Sequence, residues 1–148
     1  MSYQTHAGYA GDLLATDAFA LLESNASSVL IDVRTQAEWS FVGAPDLAAL
    51  GKAPIYLEWQ CYPSMQVDPQ FAARLEALLK ARGREHGDPL LFLCRSGARS
   101  RHAAVAMTSA GWGPCFNIVD GFEGPLDGLR RRGGVAGWKA GGLPWAQT

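Results

Sequence analysis

The sequence has only three cysteines, Cys61, Cys94 and Cys115, in 148 residues. That is too few for a disulfide scaffold, and an odd number cannot be fully paired within one chain. A reducing compartment is expected, with room for a reactive thiol. Metal spacing of the CxxC or Cys/His kind is missing, so no metal site is expected. Charge imbalance is missing too: 13 Lys and Arg against 14 Asp and Glu leave a formal net charge of −1. Such a chain has no overall pull on nucleic acid or anionic membrane, and any attraction for anions must be local. No apolar run approaches membrane-spanning length, and Met1–Gly11 lack the basic-then-apolar order of a signal peptide. These absences predict a cytoplasmic protein with neither nucleic-acid nor membrane partners. Repeats and low-complexity tracts are also lacking. What is present is ordinary, with 48% hydrophobic and 18% charged residues, and one domain over 1–148 is expected.

The pattern along the chain alternates. A first helix is predicted from Ala15-Thr16-Asp17 through Phe19, Leu21 and Leu22, with Thr16 as its N-cap. Ser28–Val33 reads as a buried strand, rich in β-branched residues. Thr35–Phe41 reads as a short helix, with Thr35 and Glu38 spaced as a capping box. Pro54–Trp59 is a second strand candidate. Pro69–Lys80 carries Phe71, Leu75, Leu78 and Leu79 at helical spacing. Pro89–Leu93 is a third apolar run. Arg99–Ala110 is helical, with Gly111 suited to end it, and Phe116–Val119 is a fourth strand candidate. Strands alternating with helices predict an α/β fold, a central and largely parallel sheet flanked by helices in three layers. Residues 1–8 are expected to be loosely ordered. Residues 133–148, with five glycines between Gly133 and Gly142, are expected to form an irregular segment pinned to the domain by Trp138 and Trp145.

The informative stretch is Leu90-Leu91-Phe92-Leu93-Cys94-Arg95-Ser96-Gly97-Ala98-Arg99-Ser100. A buried strand ends at a cysteine, a short glycine-containing loop follows, and a helix begins. Ligands of open α/β sheets bind at the carboxyl ends of strands. The first amides of a helix have no intrahelical acceptor and can converge on an anion, in a nest that Gly97 makes sterically accessible. A thiolate on Cys94 is stabilised there. Arg95, Arg99 and Arg101 crowd into the same few residues, while no acid occurs between Asp88 and Asp120. A lone cysteine at a strand end is more often an inert buried residue; the combination with the glycine loop and the arginines favours a nucleophile.

The Cys-Arg-Ser-Gly-x-Arg-Ser run at 94–100 resembles the active-site loop of the rhodanese family. Leu30-Ile31-Asp32-Val33-Arg34 followed by Glu38-Trp39 resembles that family's Asp-Val-Arg…Glu-Trp signature. Asn117–Glu123 resembles its strand-plus-glycine segment, and Trp138…Gly142-Leu143-Pro144 its C-terminal ending. The resemblance implies a rhodanese-like α/β domain without metal or organic cofactor. It implies transfer of sulfane sulfur from a small anionic donor such as thiosulfate to a thiol or cyanide acceptor, through a persulfide on Cys94. The amides from Arg95 through Ser96, Gly97, Ala98 and Arg99 to Ser100 would cradle the sulfur, and Arg95 and Arg99 would orient the donor. Ser96 and Ser100 can serve the sulfur through their hydroxyls or merely close the loop and cap the helix. Asp32 and Arg34 are expected to give structural support, Asp32 by pairing with an arginine near the loop. His102 reads as a surface or packing residue, and Cys61 and Cys115 as packed thiols. Alternatives are a sulfur-relay protein with a protein partner, a regulatory binding module, and a phosphatase or arsenate reductase. The phosphatases of related fold have a loop one residue longer, Cys-x5-Arg. Leu57–Cys61 matches no recognised motif.

Overall fold

A computed structural model of the chain describes residues 4–6, 8–61 and 63–147. Its elements run β1 (Gln4–His6), β2 (Tyr9–Leu13), α1 (Ala15–Ser24), β3 (Val29–Asp32), α2 (Gln36–Phe41), β4 (Ala44–Pro45), a 3-10 turn (Ala48–Leu50), β5 (Ile55–Tyr56), β6 (Gln60–Cys61), β7 (Gln66–Val67), α3 (Phe71–Ala81), β8 (Leu90–Leu93), α4 (Ala98–Ser109), β9 (Cys115–Ile118) and β10 (Trp145–Ala146). The main sheet has the order β1-β2-β9-β8-β3-β5. β2, β9, β8, β3 and β5 are parallel, and β1 lies antiparallel on the β2 edge. The predicted central parallel sheet is present.

Side-chain alternation divides the interior into two cores. Val29, Ile31 and Val33 of the β3 segment, Leu90 and Phe92 of β8, and Cys115 of β9 pack with Phe71, Leu75 and Leu79 of α3 and Ala103, Ala104 and Met107 of α4. Leu30, Leu91, Leu93, Phe116 and Ile118 face the other way, toward Ala15, Ala18 and Leu22 of α1 and toward Trp138. Cys94 continues the 90–92–94 alternation and belongs to the α3/α4 core. The strand phase therefore points its thiol toward the start of α4.

The N-terminal part of the chain differs from the sequence pattern in two respects. Thr16 is not the N-cap of α1: the helix starts at Ala15, after Leu14. The carboxylate of Asp120 instead accepts from the Ala15 amide at 2.8 Å, so this cap comes from the far end of β9. β2 is a strand that the sequence pattern did not announce, because Gly11 and Asp12 interrupt any apolar run; it pairs with β9 from Gly11↔Phe116 to Leu13↔Ile118. The expectation of a loose segment over residues 1–8 lies partly outside the described residues, at 1–3 and 7; within it, Gln4–His6 form β1.

The C-terminal segment crosses the α1 face. Trp138 is fully buried and meets Phe19 edge-on at 5.8 Å. Its indole donates to the Pro144 carbonyl at 2.7 Å, and β10 pairs antiparallel with β4.

Candidate active site

The loop between β8 and α4 is shaped by the turn that follows β9. The amide of Phe122 donates to the Cys94 carbonyl at 2.9 Å, and those of Glu123 and Gly124 donate to the Arg95 carbonyl at 3.0 and 3.2 Å. These bonds draw the loop's carbonyls to one side and leave its amides to the other. Gly121 permits the approach: φ is +69°, and a Cβ there would overlap the backbone of Arg95 and Ser96. Gly97 has φ of +104°, and its Cβ would strike the Val119 carbonyl oxygen. Both positions need glycine, for conformation and for space.

Cys94 is 1% exposed. Its Sγ accepts from the Gly97 amide at 3.1 Å and lies 3.2 Å from Ser100 Oγ. Arg101 makes the first intrahelical bond of α4, to the Gly97 carbonyl, so the amides of Ala98, Arg99 and Ser100 precede the helix's own ladder. Above the sulfur is a cleft of about 320 Å³ lined by Glu38, Gln60, Met65, Cys94, Arg95, Ser96, Ala98 and Arg99. Arg95, Ser96 and Ala98 stand exposed at its rim, whereas Ser100 is buried beneath it.

The two loop arginines differ. Arg99 donates from Nη1 and Nη2 to the two carboxylate oxygens of Glu38, at 2.6 and 3.0 Å. Burial works against charge on both partners, but their mutual hydrogen bonds and attraction outweigh it, so Glu38 is held below the usual carboxylate range and Arg99 above its ordinary value. Glu38 is itself fixed by the predicted capping box, accepting from the Thr35 amide at 3.1 Å while its own amide donates to Thr35 Oγ1 at 3.3 Å.

Asp32 is the residue expected to pair with an arginine near the loop. It pairs with Arg34, two residues on, whose Nη2 and Nε reach its carboxylate at 2.6 and 2.9 Å with both side chains fully buried. Arg34 also donates to the Gly43 carbonyl at 2.9 Å and lies 4.3 Å over the Phe122 ring. The pair thus ties β3 to the turn that shapes the loop.

Gln60 and Met65 belong to the site without having been singled out in the sequence. They sit on and beside the β6–β7 hairpin, paired Gln60↔Val67 and Cys61↔Gln66, which brings a wall over the cleft. Only the hairpin signal of two short polar strands could have announced them, and it is weak. His102 is exposed, in a depression with Trp59 and Val67. Cys61 is half-buried, and Cys115 is buried with its thiol 3.5 Å from the Trp112 carbonyl. A second cleft of about 320 Å³, at the start of β3, is lined by Lys52, Arg82 and Arg84. There Lys52 is engaged by the Asn25 and Ser28 carbonyls and Arg82 by those of Ala53 and Pro54.

A model of the rhodanese-like domain matches residues 15–125. The chain belongs to the rhodanese-like domain family. Relatives include the uncharacterized protein RC0915 of Rickettsia conorii and the uncharacterized protein in the dnaA 5' region of Rickettsia montanensis. Each is 37% identical over 134 residues, which is 90% of this chain and 95% of the relative. Among solved structures, Rv0390 from M. tuberculosis superposes with a TM-score of 0.83 at 46% identity, over 95% of this chain and 99% of that one. The polysulfide-sulfur transferase of Wolinella succinogenes shares the fold, with a TM-score of 0.55 at 24% identity over 92% and 77% of the two chains. Among the described residues of this rhodanese-like chain, no helix is long and apolar enough to cross a membrane.

Proposed function

We propose that this chain is a sulfurtransferase that carries sulfane sulfur as a persulfide on Cys94. The observation that carries the reading is the placement of the sulfur: Cys94 Sγ lies under an open cleft, with the Gly97 amide on it and the leading amides of α4 beside it. In the first step the Cys94 thiolate attacks the outer sulfur of thiosulfate. The new S–S bond forms as the old one breaks, and sulfite leaves with the electron pair. In the second step a thiol or cyanide attacks the outer sulfur, and the Cys94 thiolate leaves. The chain needs no added oxidant or reductant, because the sulfane sulfur arrives already at the oxidation level it keeps. The loop amides act as preorganised dipoles for the thiolate and for the terminal sulfur of the persulfide. Arg95, exposed at the rim and, among the described residues, without the carboxylate partner that Arg99 has, is the group that draws the anionic donor.

The test is mass spectrometry of the protein after exposure to thiosulfate, with the same preparation assayed on aryl phosphates. Cys94 is expected to gain one sulfur, the gain is expected to vanish in Cys94→Ser, and phosphate ester hydrolysis is expected to be negligible. The Cys94–Arg99 loop is one residue shorter than the phosphatase form, and a shorter ring of amides suits one terminal sulfur better than a tetrahedral phosphate. Phosphatase turnover without sulfur loading would reverse the reading.

A further inference from the structure

Asp12 stands opposite Asn117 in the β2–β9 ladder. Asn117 is buried, on the strand whose Cys115 faces α4. Its Nδ2 donates to Asp12 Oδ1 at 3.1 Å, an oxygen that also accepts from the Tyr9 hydroxyl at 2.9 Å. Its Oδ1 accepts from Ser100 Oγ at 2.6 Å, and Ser100 Oγ lies 3.2 Å from Cys94 Sγ. A row of hydrogen bonds, half-buried at Asp12 and buried from Asn117 inward, therefore runs from an edge of the parallel strands to the candidate nucleophile.

Counting protons gives this row a direction. A carboxylate only accepts, so Asn117 must turn its NH2 toward Asp12 and its carbonyl toward Ser100. Reversing the amide would set its oxygen against the Asp12 carboxylate, two acceptors facing each other. The Ser100 hydroxyl has a single proton, and that proton is taken by Asn117 Oδ1. What Ser100 presents to Cys94 is then a lone pair, and the S–H donates to it. Tyr9 reinforces the order: burial, then its bond to Asp12, pushes its phenol up to about 12, so it stays a donor.

We propose that Asp12 and Asn117 are positioning residues which fix the Ser100 hydroxyl as an acceptor for the Cys94 S–H, acting as a brake on ionisation of the sulfur and leaving the loop amides to oppose it. When Cys94 loses its proton, Ser100 must either face the anion with a lone pair or swing its hydroxyl round. Swinging leaves the buried Asn117 oxygen without a donor, which is costly. This assignment deepens the sulfur-carrier reading by naming what regulates its nucleophile, but its hydrogen-bond logic holds whatever Cys94 transfers.

The experiment follows iodoacetamide alkylation of Cys94 against pH by peptide mass spectrometry, which separates Cys94 from Cys61 and Cys115. The other charged groups lining the cleft over the sulfur are Arg95 of the loop and Arg99 of α4 with Glu38 of α2 behind it; these stay unchanged in every variant. Asn117→Leu removes the acceptor at similar volume, freeing Ser100 to donate to the thiolate. The alkylation midpoint is expected to move to lower pH, with a rate roughly fivefold higher one unit below the wild-type midpoint. Asp12→Asn lets the Asn117 amide reverse and is expected to move the midpoint the same way. That shift should disappear in the Asp12→Asn/Ser100→Ala double variant, whereas a purely Coulombic effect of losing the charge would persist there. Ser100→Ala alone should not raise the midpoint. A raised midpoint in Ser100→Ala, an unmoved one in folded Asn117→Leu, or a persistent shift in the double variant would overturn the assignment. Asp12→Asn with its double variant decides the matter if Asn117→Leu does not fold. Failure of sulfur loading in the wild type, with these shifts intact, would strike the carrier reading and leave the positioning role standing.

Discussion

Glu38 holds Arg99 through both carboxylate oxygens, at 2.6 and 3.0 Å, across 61 residues of sequence. The side chains are 16% and 20% exposed, so solvent screens the pair only in part. The consequence is that Arg99 braces the loop against α2 before it can serve any substrate. Arg99→Ala and Glu38→Gln are each expected to lower stability by about 1–3 kcal/mol, read as a fall in Tm, and to slow sulfur loading together. The pH dependence has a definite sign. Glu38 is held below its ordinary 4.5 by Arg99 and the Thr35 cap, against the opposing effect of burial. Its contribution is complete above the ordinary carboxylate range and is lost as pH falls through the lowered folded value. Acid unfolding of the wild type should therefore be steeper there than that of Glu38→Gln. Equal acid sensitivity would contradict the clamp.

Arg95 should behave in the opposite way. It is exposed at the rim of the cleft, and its backbone carbonyl rather than its guanidinium holds the loop to Glu123 and Gly124. Arg95→Ala is expected to leave Tm within about 0.5 kcal/mol equivalents of wild type and to raise KM for thiosulfate several-fold. The wild-type advantage should shrink as salt rises, because exposed charges are screened over roughly 10 Å at 0.1 M. Steady-state kinetics at two ionic strengths check this. Unchanged KM in Arg95→Ala would remove the steering role.

Cys115 is expected to be silent toward alkylation in the native protein at neutral pH. Burial pushes its thiol from an ordinary 9.0 up to about 11, with Thr108 opposing. Between those values the folded thiol keeps a proton that the unfolded one releases. Stability should thus decline as pH rises through that window, and the decline should be shallower in Cys115→Ala. Denaturant melts across that range measure it. Rapid native alkylation of Cys115 would show that the Trp112–Cys115 corner opens.

What is legible in the sequence is what is local. The strand–Cys94–Gly97–helix unit reads directly, because apolar run, thiol, glycine and arginines sit within a dozen residues. The Thr35/Glu38 capping box reads for the same reason. The partner of Arg99 does not: Glu38 announces a helix start, and only the fold shows that the same carboxylate clamps the loop. Asp32 was expected to pair with an arginine near the loop, and only the fold shows that the partner is Arg34, buried with it. The strand β2 is hidden by Gly11 and Asp12, and Asp12 has meaning only through its register with Asn117. The irregular tail is legible through Trp138, which is too large to leave in water, whereas its short pairing with β4 leaves no pattern in residues Trp145 and Ala146.

Two glycines far apart in sequence should be equally intolerant of a methyl group. Gly97 lies inside the Cys94 loop, and Gly121 lies after β9. A Cβ at Gly97 would overlap the Val119 carbonyl oxygen, and one at Gly121 would overlap the carbonyl of Arg95 and the amide of Ser96. The two contacts are the two sides of one seam, where the β9 turn grips the loop and draws its carbonyls from the amide side. Relief requires the loop to slide, and sliding moves the Gly97 amide off Cys94 Sγ. Gly51 provides the comparison, since it too has positive φ, +68°, but a Cβ there meets nothing within 4 Å. Gly51→Ala should cost only the backbone strain, about 1 kcal/mol, and leave sulfur loading unchanged. Gly97→Ala and Gly121→Ala should lose more stability than that and should load sulfur at least tenfold more slowly, a rise of about 1.4 kcal/mol in the barrier. Thiosulfate loading followed by intact-mass measurement, beside thermal melts of the three variants, reads both quantities. If Gly121→Ala loads sulfur as fast as Gly51→Ala, the turn after β9 does not shape the site.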